Sequence, residues 1–369
     1  MQTTRNSQAA RSTVRAARRH LRFLPIVLFL SLLSFLSIDP ADHAGASQDG
    51  LSDDAGFEEA EDPALALGFA DPVPNATKNF PTDHIFRLTH DVPLGNGRTL
   101  RVNETFTLAS WQRHPRRALL FLNGPAFLGT NYSIPVPGYD GTVMAAERGF
   151  FAYTADYLGA GESYKPAHGV DAGFAENTDA LRSALRYIRF LRRVPKIDLL
   201  GEGIGGAIAT QLAADPSRVR STVLNAMLYK TVPEGPTTSE DFLNFLLSAP
   251  DGYLPVPPEL YLLFLTGAPS EVVDFMLSTQ AGVYPIGPFL VPFEEPPYFD
   301  PGVARVPGLV IFGSEDFLAT PNDPSDLVAD YGTSGAELIV LEGAGHAPRI
   351  ESPDAAAAFW DAVFHFLDP

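Results

Sequence analysis

Short apolar runs alternate with amphipathic helical segments along much of the chain. Runs that are almost continuously apolar are typical of buried parallel strands, whereas apolar residues at steps of three and four are typical of helices packed on a sheet. Strands are predicted at residues 117–122, 150–155, 197–200, 219–227, 306–312 and 337–341, and helices at 176–193 and 353–367. This alternation predicts an α/β fold with a mostly parallel sheet flanked by helices.

The chain between residues 84 and 106 follows a different pattern. Phe86 and Leu88 alternate with polar neighbours, and Asn96-Gly97 separates them from a second alternating segment. An Asn-Gly pair favours the type I′ turn of a two-residue hairpin, because both residues tolerate a positive φ. We therefore expect an antiparallel hairpin ahead of the parallel strands.

The N-terminal residues have the pattern of a targeting segment. Six arginines precede residue 23, an uncharged and mainly apolar run follows at 23–38, and Ala44-Gly45-Ala46 resembles a signal cleavage sequence. Residues 1–46 are therefore predicted to be a signal peptide or an uncleaved membrane anchor, with export to the periplasm or the extracellular space. Residues 47–82 are rich in Asp, Glu, Gly and Pro and are predicted to be an acidic flexible linker.

The composition excludes several kinds of chemistry. The chain has no cysteine, so it forms no disulfide and has no thiolate nucleophile. Its formal net charge of −18 opposes nucleic-acid binding and adsorption to anionic membranes. We therefore expect no nucleic-acid partner, and membrane contact only through the N-terminal segment. No GK[ST] phosphate loop is present, and we expect neither a metal nor a cofactor.

The most informative stretch is GEGIGG at residues 201–206. It follows the apolar run 197–200 and precedes an Ala-rich helical pattern, so the sequence predicts a strand, a sharp turn and a helix. The first, third and sixth residues of this stretch also fit the G-x-G-x-x-G fingerprint of dinucleotide-binding turns. That alternative requires an acid at the end of the next strand, about 20 residues on. This chain has Asn225 there.

The strand, turn and helix resemble the nucleophile elbow of the α/β-hydrolase family, whose signature is G-x-S-x-G with the attacking serine at its centre. Gly203 stands at the central position, so this chain lacks that nucleophile. The family holds the nucleophile at a positive φ, which glycine adopts at little cost, so we expect the turn to persist. The resemblance implies an α/β-hydrolase domain over residues 83–369, with a mostly parallel, twisted sheet flanked by helices.

The resemblance also implies a lid over the binding pocket. Residues 229–304 interrupt the alternation of strands and helices with aromatic and apolar patches among many prolines. Family members carry a lid at this place, between two strands at the carboxyl edge of the sheet. Inward-facing aromatic side chains would form an apolar pocket, which favours a small apolar molecule or an ester as the ligand.

Two further turns match the family's catalytic acid and histidine. Asp316 follows the strand predicted at 306–312, within a turn similar to the family's acid turn. His346 follows the strand predicted at 337–341, within a loop similar to the family's histidine loop. Elbow, acid and histidine occur in the order of the family's triad, so the resemblance implies the acid role for Asp316 and the base role for His346.

The resemblance also implies where the two oxyanion-hole donors should lie. One is the backbone N–H of Ile204, directly after the elbow. The other follows a His-Gly pair in the family, and aligning Asn123-Gly124 with that pair places Pro125 at the donor position. Proline has no N–H, so the hole is expected to lack one donor, unless a shift of one residue presents Ala126 instead.

These features predict a degenerate hydrolase that keeps the acid and the histidine and binds a small apolar ligand or a partner. The alternative is an active enzyme, either esterase-like or a serine-independent lyase or oxygenase, that uses His346 and Asp316. Under that alternative His346 activates water directly, with Glu202 at the edge of the elbow as an auxiliary group.

Overall fold

The structure is a computed structural model that describes residues 84–230, 239–290, 299–319 and 322–368. The side chains of residues 239–242 are not described. The predicted targeting segment, 1–46, and the predicted linker, 47–82, lie outside the described residues. Within the described ranges, no helix has the length and apolarity that crossing a membrane requires.

Strands and helices alternate through most of the described chain. The strands are β1 Phe86–Gly95, β2 Arg98–Phe106, β3 Arg117–Leu122, β4 Phe150–Ala155, β5 Ile197–Glu202, β6 Val219–Asn225, β7 Tyr253–Val256, β8 Gly282–Pro285, β9 Gly308–Gly313 and β10 Ala336–Leu341. The α-helices are α1 Leu108–Gln112, α2 Gly141–Glu147, α3 Phe174–Arg192, α4 Ile204–Leu212, α5 Ser239–Leu247, α6 Ser270–Thr279, α7 Gly287–Leu290, α8 Asp323–Asp330 and α9 Pro353–Leu367. Short 3₁₀ turns lie at Gly129–Tyr132, Gly169–Asp171, Pro250–Gly252, Pro258–Phe264, Pro301–Val303 and Pro348–Ile350.

The described strands form one eight-stranded sheet in the order β1-β2-β4-β3-β5-β6-β9-β10, and a separate pair, β7-β8. Neighbouring strands from β4 to β10 in this order run parallel, whereas β1 pairs antiparallel with β2, and β2 with β4. The prediction of an α/β fold with a mostly parallel sheet is confirmed. The predicted hairpin turn is also confirmed, since Asn96 and Gly97 have φ values of 51° and 72°.

Two apolar layers cover the faces of the sheet. On one face, α3 and α4 contribute residues such as Leu181, Ile188 and Ile208 to a buried cluster. On the other face, α9 contributes Phe359 and Trp360. Every residue of β3, β4 and β5 is buried, which explains why these runs are almost continuously apolar. The carboxyl ends of these strands form the edge that carries the candidate site.

The chain between β6 and β9 forms the insertion that the sequence predicted at residues 229–304. Its described elements include α5, α6, α7 and the antiparallel pair β7-β8. Tyr261, Met276 and Tyr284 of the insertion are buried in one apolar cluster with Phe127 of the loop after β3 and Ala347 of the loop after β10. The insertion therefore packs on loops at the carboxyl edge of the sheet.

Close backbone contacts hold α4 against the sheet. A Cβ atom on Gly205 would lie 2.3 Å from the carbonyl oxygen of Leu122, and one on Gly201 would lie 2.4 Å from the carbonyl oxygen of Gly205. Both positions exclude a side chain, because the obstructing atoms belong to the packed backbone. Helix-to-strand packing is therefore a sufficient reason for glycine at these two positions.

We expect Gly205→Ala to lower the free energy of unfolding by about 1–3 kcal/mol, because the added methyl group would collide with backbone. Chemical denaturation followed by circular dichroism measures this change. Gly282→Ala is the matched control and should change little, since a Cβ there would meet only a side-chain atom of Tyr284, at 3.7 Å. Equal stability of Gly205→Ala and the wild-type protein would contradict the close packing of α4.

Candidate active site

The elbow is a sharp turn between β5 and α4 with Gly203 at its apex. Gly203 has φ 54° and ψ −122°, a conformation that is strained for residues with a side chain and accessible to glycine. Its N–H donates to the carbonyl oxygen of Asn225 on β6, at 3.0 Å. Its carbonyl oxygen accepts a hydrogen bond from the N–H of Gly206 in the first turn of α4, at 2.9 Å. The turn thus joins strand to helix with glycine at its centre.

A small side chain would have room at Gly203. A Cβ atom in standard geometry would meet nothing nearer than the carbonyl oxygen of Ala226, at 3.8 Å, and the Cδ atom of Pro125, at 3.9 Å. These are ordinary van der Waals separations. Backbone strain, and not crowding, is therefore what a larger residue would meet at this position.

Asp316 and His346 lie side by side on the loops that follow the neighbouring strands β9 and β10. Nδ1 of His346 lies 2.9 Å from Oδ1 and 3.0 Å from Oδ2 of Asp316. The same carboxylate accepts the backbone N–H groups of Leu318 and Ala319, at 2.9 and 3.2 Å, which fix its orientation. A proton on Nδ1 that donates to Asp316 leaves Nε2 as the ring atom available to a ligand.

The electrostatics of this pair favour the charged forms. Burial lowers the pKa of His346, but the charge and hydrogen bond of Asp316, together with the charges of Glu202 and Glu351, outweigh burial and raise this pKa above its usual value. Burial raises the pKa of Asp316, but the charge and hydrogen bond of His346 and two backbone N–H groups outweigh burial and lower it. The pair can therefore hold a proton on the imidazole beside an ionised carboxylate.

Glu351 holds the His346 loop in place. Its Oε2 accepts the N–H of Gly345 at 2.7 Å and its Oε1 accepts the N–H of Ala347 at 3.0 Å, so the carboxylate binds the backbone on both sides of the histidine. Only 3% of Glu351 is exposed. No sequence pattern singles out this residue, because an acid five positions after a loop histidine looks like any surface acid.

Glu202, expected as an auxiliary group, is buried in an ion pair. Its Oε2 lies 2.7 Å from Nε and 2.6 Å from Nη2 of Arg349. Its Oε1 has no hydrogen-bond partner among the described residues and lies 3.6 Å from the position that a Cβ atom on Gly124 would take. The ion pair connects the elbow to the loop that carries His346, and Oε1 takes no part in it. Arg349 was not anticipated from the sequence.

The loop after β3 places a methylene group where an oxyanion donor was expected. Pro125 lies in a turn closed by a hydrogen bond from the N–H of Phe127 to the carbonyl oxygen of Gly124, at 3.3 Å. The Cδ atom of Pro125, which replaces the amide hydrogen in proline, is the atom 3.9 Å from the Cβ position of Gly203. Pro125 therefore presents carbon, and not a donor, to the elbow.

Two backbone N–H groups remain as candidate donors near the elbow. The N–H of Ile204 opens α4, ahead of the first N–H that bonds within the helix, which belongs to Gly206. The N–H of Ala126 has no hydrogen-bond partner among the described residues. The N–H of Ile204 therefore takes no part in the bonding of the helix, and the N–H of Ala126 has no competing acceptor among the described residues.

Two aromatic rings lie beside His346. The ring centroid of Phe264, in the insertion, lies 5.6 Å from that of His346, and the ring centroid of Phe317, in the acid turn, lies 6.0 Å away. The two phenylalanine rings are 5.9 Å apart. Phe127, in the loop after β3, continues this surface, with its ring centroid 5.9 Å from that of Phe264. The histidine therefore lies against an apolar wall to which three separate loops contribute.

Hydrogen bonds attach the insertion to the loop after β3. The hydroxyl of Tyr261 lies 2.7 Å from the carbonyl oxygen of Ala126. The side-chain oxygen of the buried Gln280 accepts the N–H of Leu128 at 2.8 Å, and its side-chain nitrogen donates to Thr130 Oγ1 at 2.9 Å. The loop that carries Pro125 and Ala126 is thereby fixed from the insertion side.

The arrangement provides a base and backbone donors, but no nucleophilic atom at the elbow. His346, oriented by Asp316, can accept or donate a proton at Nε2. Gly203 offers no hydroxyl, so acyl transfer through the elbow residue has no attacking group. Over the described ranges, no group of three His, Asp or Glu side chains is arranged to hold a metal ion.

A protein-family model matches the part of the chain that carries this site. A family model described as "Alpha/beta hydrolase family" matches residues 119–359, a span that begins in β3 and ends in α9. The match therefore includes the elbow, Asp316 and His346. No curated protein matches this sequence significantly.

Solved structures share the fold at low sequence identity. The chain is similar to an esterase from Exiguobacterium antarcticum, with a TM-score of 0.58, 16% identity, and coverage of 76% of this chain and 100% of the esterase. It is similar to a hydrolase from Pseudomonas aeruginosa, with a TM-score of 0.57 and 18% identity. The match covers 76% of this chain and 98% of that hydrolase. The chain is also similar to a 2-hydroxy-6-oxo-6-phenylhexa-2,4-dienoate hydrolase from a Rhodococcus species, with a TM-score of 0.55 and 18% identity. The match covers 78% of this chain and 99% of that hydrolase. At these identities the similarity shows the fold alone.

The His346 imidazole is expected to titrate above the usual pKa of histidine, and Asp316→Asn should lower the midpoint, because the substitution removes the charge that stabilises the imidazolium. NMR of the imidazole nitrogens across a pH series measures both values. Asp179→Asn, a change at an exposed acid on α3, is the control and should leave the His346 midpoint unchanged. An unchanged midpoint in Asp316→Asn would contradict the pairing of these side chains.

Proposed function

Since the chain belongs to the alpha/beta hydrolase family, we propose that it is a degenerate member that binds a small apolar ligand and does not transfer acyl groups through its elbow. The observation that carries this proposal is Gly203, which holds the elbow conformation at φ 54° in the place of the signature's serine. The turn persists, and its reactive atom is missing.

A second loss supports the same proposal. The family uses two backbone donors to stabilise the oxyanion, and removal of one typically costs about 2.7–4 kcal/mol of transition-state stabilisation. Here Pro125 turns a Cδ atom toward the elbow. A protein that has lost both the nucleophile and an expected donor retains little of the family's catalytic power, because enzymes stripped of a triad member work orders of magnitude more slowly.

Other loop hydroxyls are committed to structural hydrogen bonds. The hydroxyl of Ser163 donates to the carbonyl oxygen of Asp156 at 2.7 Å, and it accepts the N–H of Arg101 at 2.9 Å. Ser314 Oγ accepts the N–H of Gly343 at 2.8 Å. Neither of these serines replaces the hydroxyl that is missing from the elbow.

The apolar surroundings of His346 support a small apolar ligand. Phe127, Phe264 and Phe317 form a continuous set of ring contacts beside the histidine. Burying such surface against a ligand is favourable by about 25 cal/mol per Å² of apolar area. The insertion, which contributes Phe264, acts in this proposal as the lid over the ligand.

A second candidate function is catalysis without serine. It is favoured by the hydrogen bond of 2.9 Å between His346 and Asp316, which orients the imidazole as a general base requires. In this alternative the imidazole takes a proton from water or from the substrate itself, in a hydrolase, lyase or oxygenase reaction. Glu202 assists through its Oε1 atom.

We further propose export, or anchoring to a membrane, through residues 1–46. The support is the sequence pattern of a basic segment, an apolar run and an Ala-Gly-Ala cleavage sequence. The net charge of −18 keeps an exported domain soluble.

A single measurement distinguishes the two proposed functions. It is the turnover of short- and medium-chain nitrophenyl esters by the wild-type protein and by His346→Ala. We expect both proteins to match the rate in buffer, because the elbow has no attacking group. Retained folding is checked by circular dichroism.

His365→Ala is the matched control, since this histidine lies exposed on α9. A wild-type rate that His365→Ala keeps and His346→Ala loses would overturn the binding function and establish catalysis by His346 without serine.

A further inference from the structure

We infer that the buried polar layer behind the His346 loop binds internal water through the side-chain amides of Asn131 and Asn225. The layer consists of Asn131, Glu202, Asn225 and Arg349, and none of these residues is more than 2% exposed. The inference goes beyond the proposed function and does not depend on it, because it concerns side chains that the fold encloses and not the ligand of the elbow.

Asn225 ends β6 on the face of the sheet that α9 covers. Val223, two residues earlier, belongs to the buried cluster to which α9 contributes, and side chains two residues apart on a strand point to the same face. Asn225 is the register partner of Glu202 on β5 and of Ile311 on β9. The side chain of Asn225 therefore lies beside that of Glu202, at the carboxyl edge of the sheet.

The loop that carries His346 lies over the same face. Gly313, the last residue of β9, follows Ile311 of the same buried cluster by two positions. A Cβ atom on Gly313 would lie 2.1 Å from the carbonyl oxygen of Gly345. The backbone next to His346 therefore packs against this face, one strand away from Asn225.

Arg349 connects Asn131 to the same layer. Nη1 of Arg349 donates to the carbonyl oxygen of Asn131 at 3.0 Å, and Nε donates to Oε2 of Glu202 at 2.7 Å. The guanidinium carbon lies 4.4 Å from the ring centroid of Tyr132, which belongs to the cluster that α9 covers. Asn131 thus contacts one member of the buried ion pair, and Asn225 neighbours the other.

The side-chain amides of these two asparagines lack partners at both ends. Both residues are 0% exposed, and neither Oδ1 nor Nδ2 of either one has a hydrogen-bond partner among the described residues. An amide that is buried without partners loses the hydration of its donors and of its acceptor. Because buried polar groups in folded proteins are almost always bonded to protein or to ordered water, these amides indicate a partner outside the polypeptide.

Another buried asparagine shows what a complete set of protein partners looks like in this chain. Asn177 is 1% exposed. Its Oδ1 accepts the N–H of Leu158 at 2.9 Å, and its Nδ2 donates to the carbonyl oxygens of Ala172 and Gly173 at 2.7 and 2.9 Å. Asn177 therefore serves as a matched control for Asn131 and Asn225.

Water is the partner that meets the chemistry of both amides. Each amide offers N–H donors and a carbonyl acceptor, and a water molecule both accepts and donates. A cation would bind Oδ1 alone and leave the N–H groups unbonded. An anion would bind the N–H groups alone and, at Asn225, would face the carboxylate of Glu202. A larger polar ligand would not reach residues that are 0% exposed.

A high-resolution crystal structure of the protein tests the inference directly. We expect a water molecule about 2.7–3.2 Å from Oδ1 or Nδ2 of each of the two asparagines. An amide without water at either position, an amide bonded directly to another protein group, or a metal ion in place of water would overturn the inference.

NMR of isotope-labelled protein tests the same water in solution. We expect magnetisation transfer from water to the side-chain N–H groups of Asn131 and Asn225, because these groups donate to bound water. The side-chain N–H groups of Asn177 donate to carbonyl oxygens and should receive none. Equal transfer to all three asparagines, or transfer to none of them, would contradict the inference.

Asn225→Val is the informative variant, because it removes the amide and keeps a side chain of similar size. Its crystal structure should lose the water at residue 225 and keep the water at Asn131. Asn177→Val removes a buried amide elsewhere and should keep both waters.

A water that persists at residue 225 in Asn225→Val would overturn the role of the amide. If valine prevents folding, the NMR measurement on the wild-type protein decides the question. Failure of these tests would leave the ester measurement, and with it the proposed function, unaffected.

Discussion

The architecture of the site depends on how closely α4 approaches the sheet. Gly201 and Gly205 bring the helix backbone within contact of β5 and β3, at distances where a side chain on either residue would collide with a carbonyl group. This approach fixes the start of α4 at the carboxyl edge, and with it the sharp turn at Gly203. The neighbouring strands β9 and β10 then bring Asp316 and His346 together at the same edge. The sheet therefore sets the relative positions of the loops that carry the site.

Where this chain differs from the family's signature, it lacks the reactive side chain, whereas the strand, turn and helix around that position are kept. Gly203 adopts at little cost a conformation that strains residues with a side chain, so a glycine at the apex leaves the elbow unstrained. The hydrogen bonds that hold His346 in place persist, through Asp316 on one side and Glu351 on the other. A site with a fixed imidazole, apolar walls and no nucleophile is suited to binding, which is the function we propose.

Much of the fold was predictable because buried parallel strands leave continuous apolar runs. The bounds of β3, β4 and α9 agree with the predicted segments. The turns carrying Asp316 and His346 were predictable from their resemblance to family loops. Glu351 and the ion pair between Glu202 and Arg349 were not predictable, because a sequence does not distinguish a buried charged residue from an exposed one. The two residues of the ion pair are also 147 positions apart in the chain. Only the packing of the loops reveals such pairs.

We propose that the elbow, Asp316 and His346 keep the relative positions of the family's triad, and that the elbow lacks the attacking atom. Mass spectrometry after incubation with a fluorophosphonate probe, which labels activated serines, tests this most directly in Gly203→Ser, with Gly203→Ala as the control. We expect a single covalent adduct on residue 203 of Gly203→Ser, and none on Gly203→Ala or the wild-type protein. A folded Gly203→Ser that remains unlabelled, or a wild-type protein that is labelled elsewhere, would contradict it.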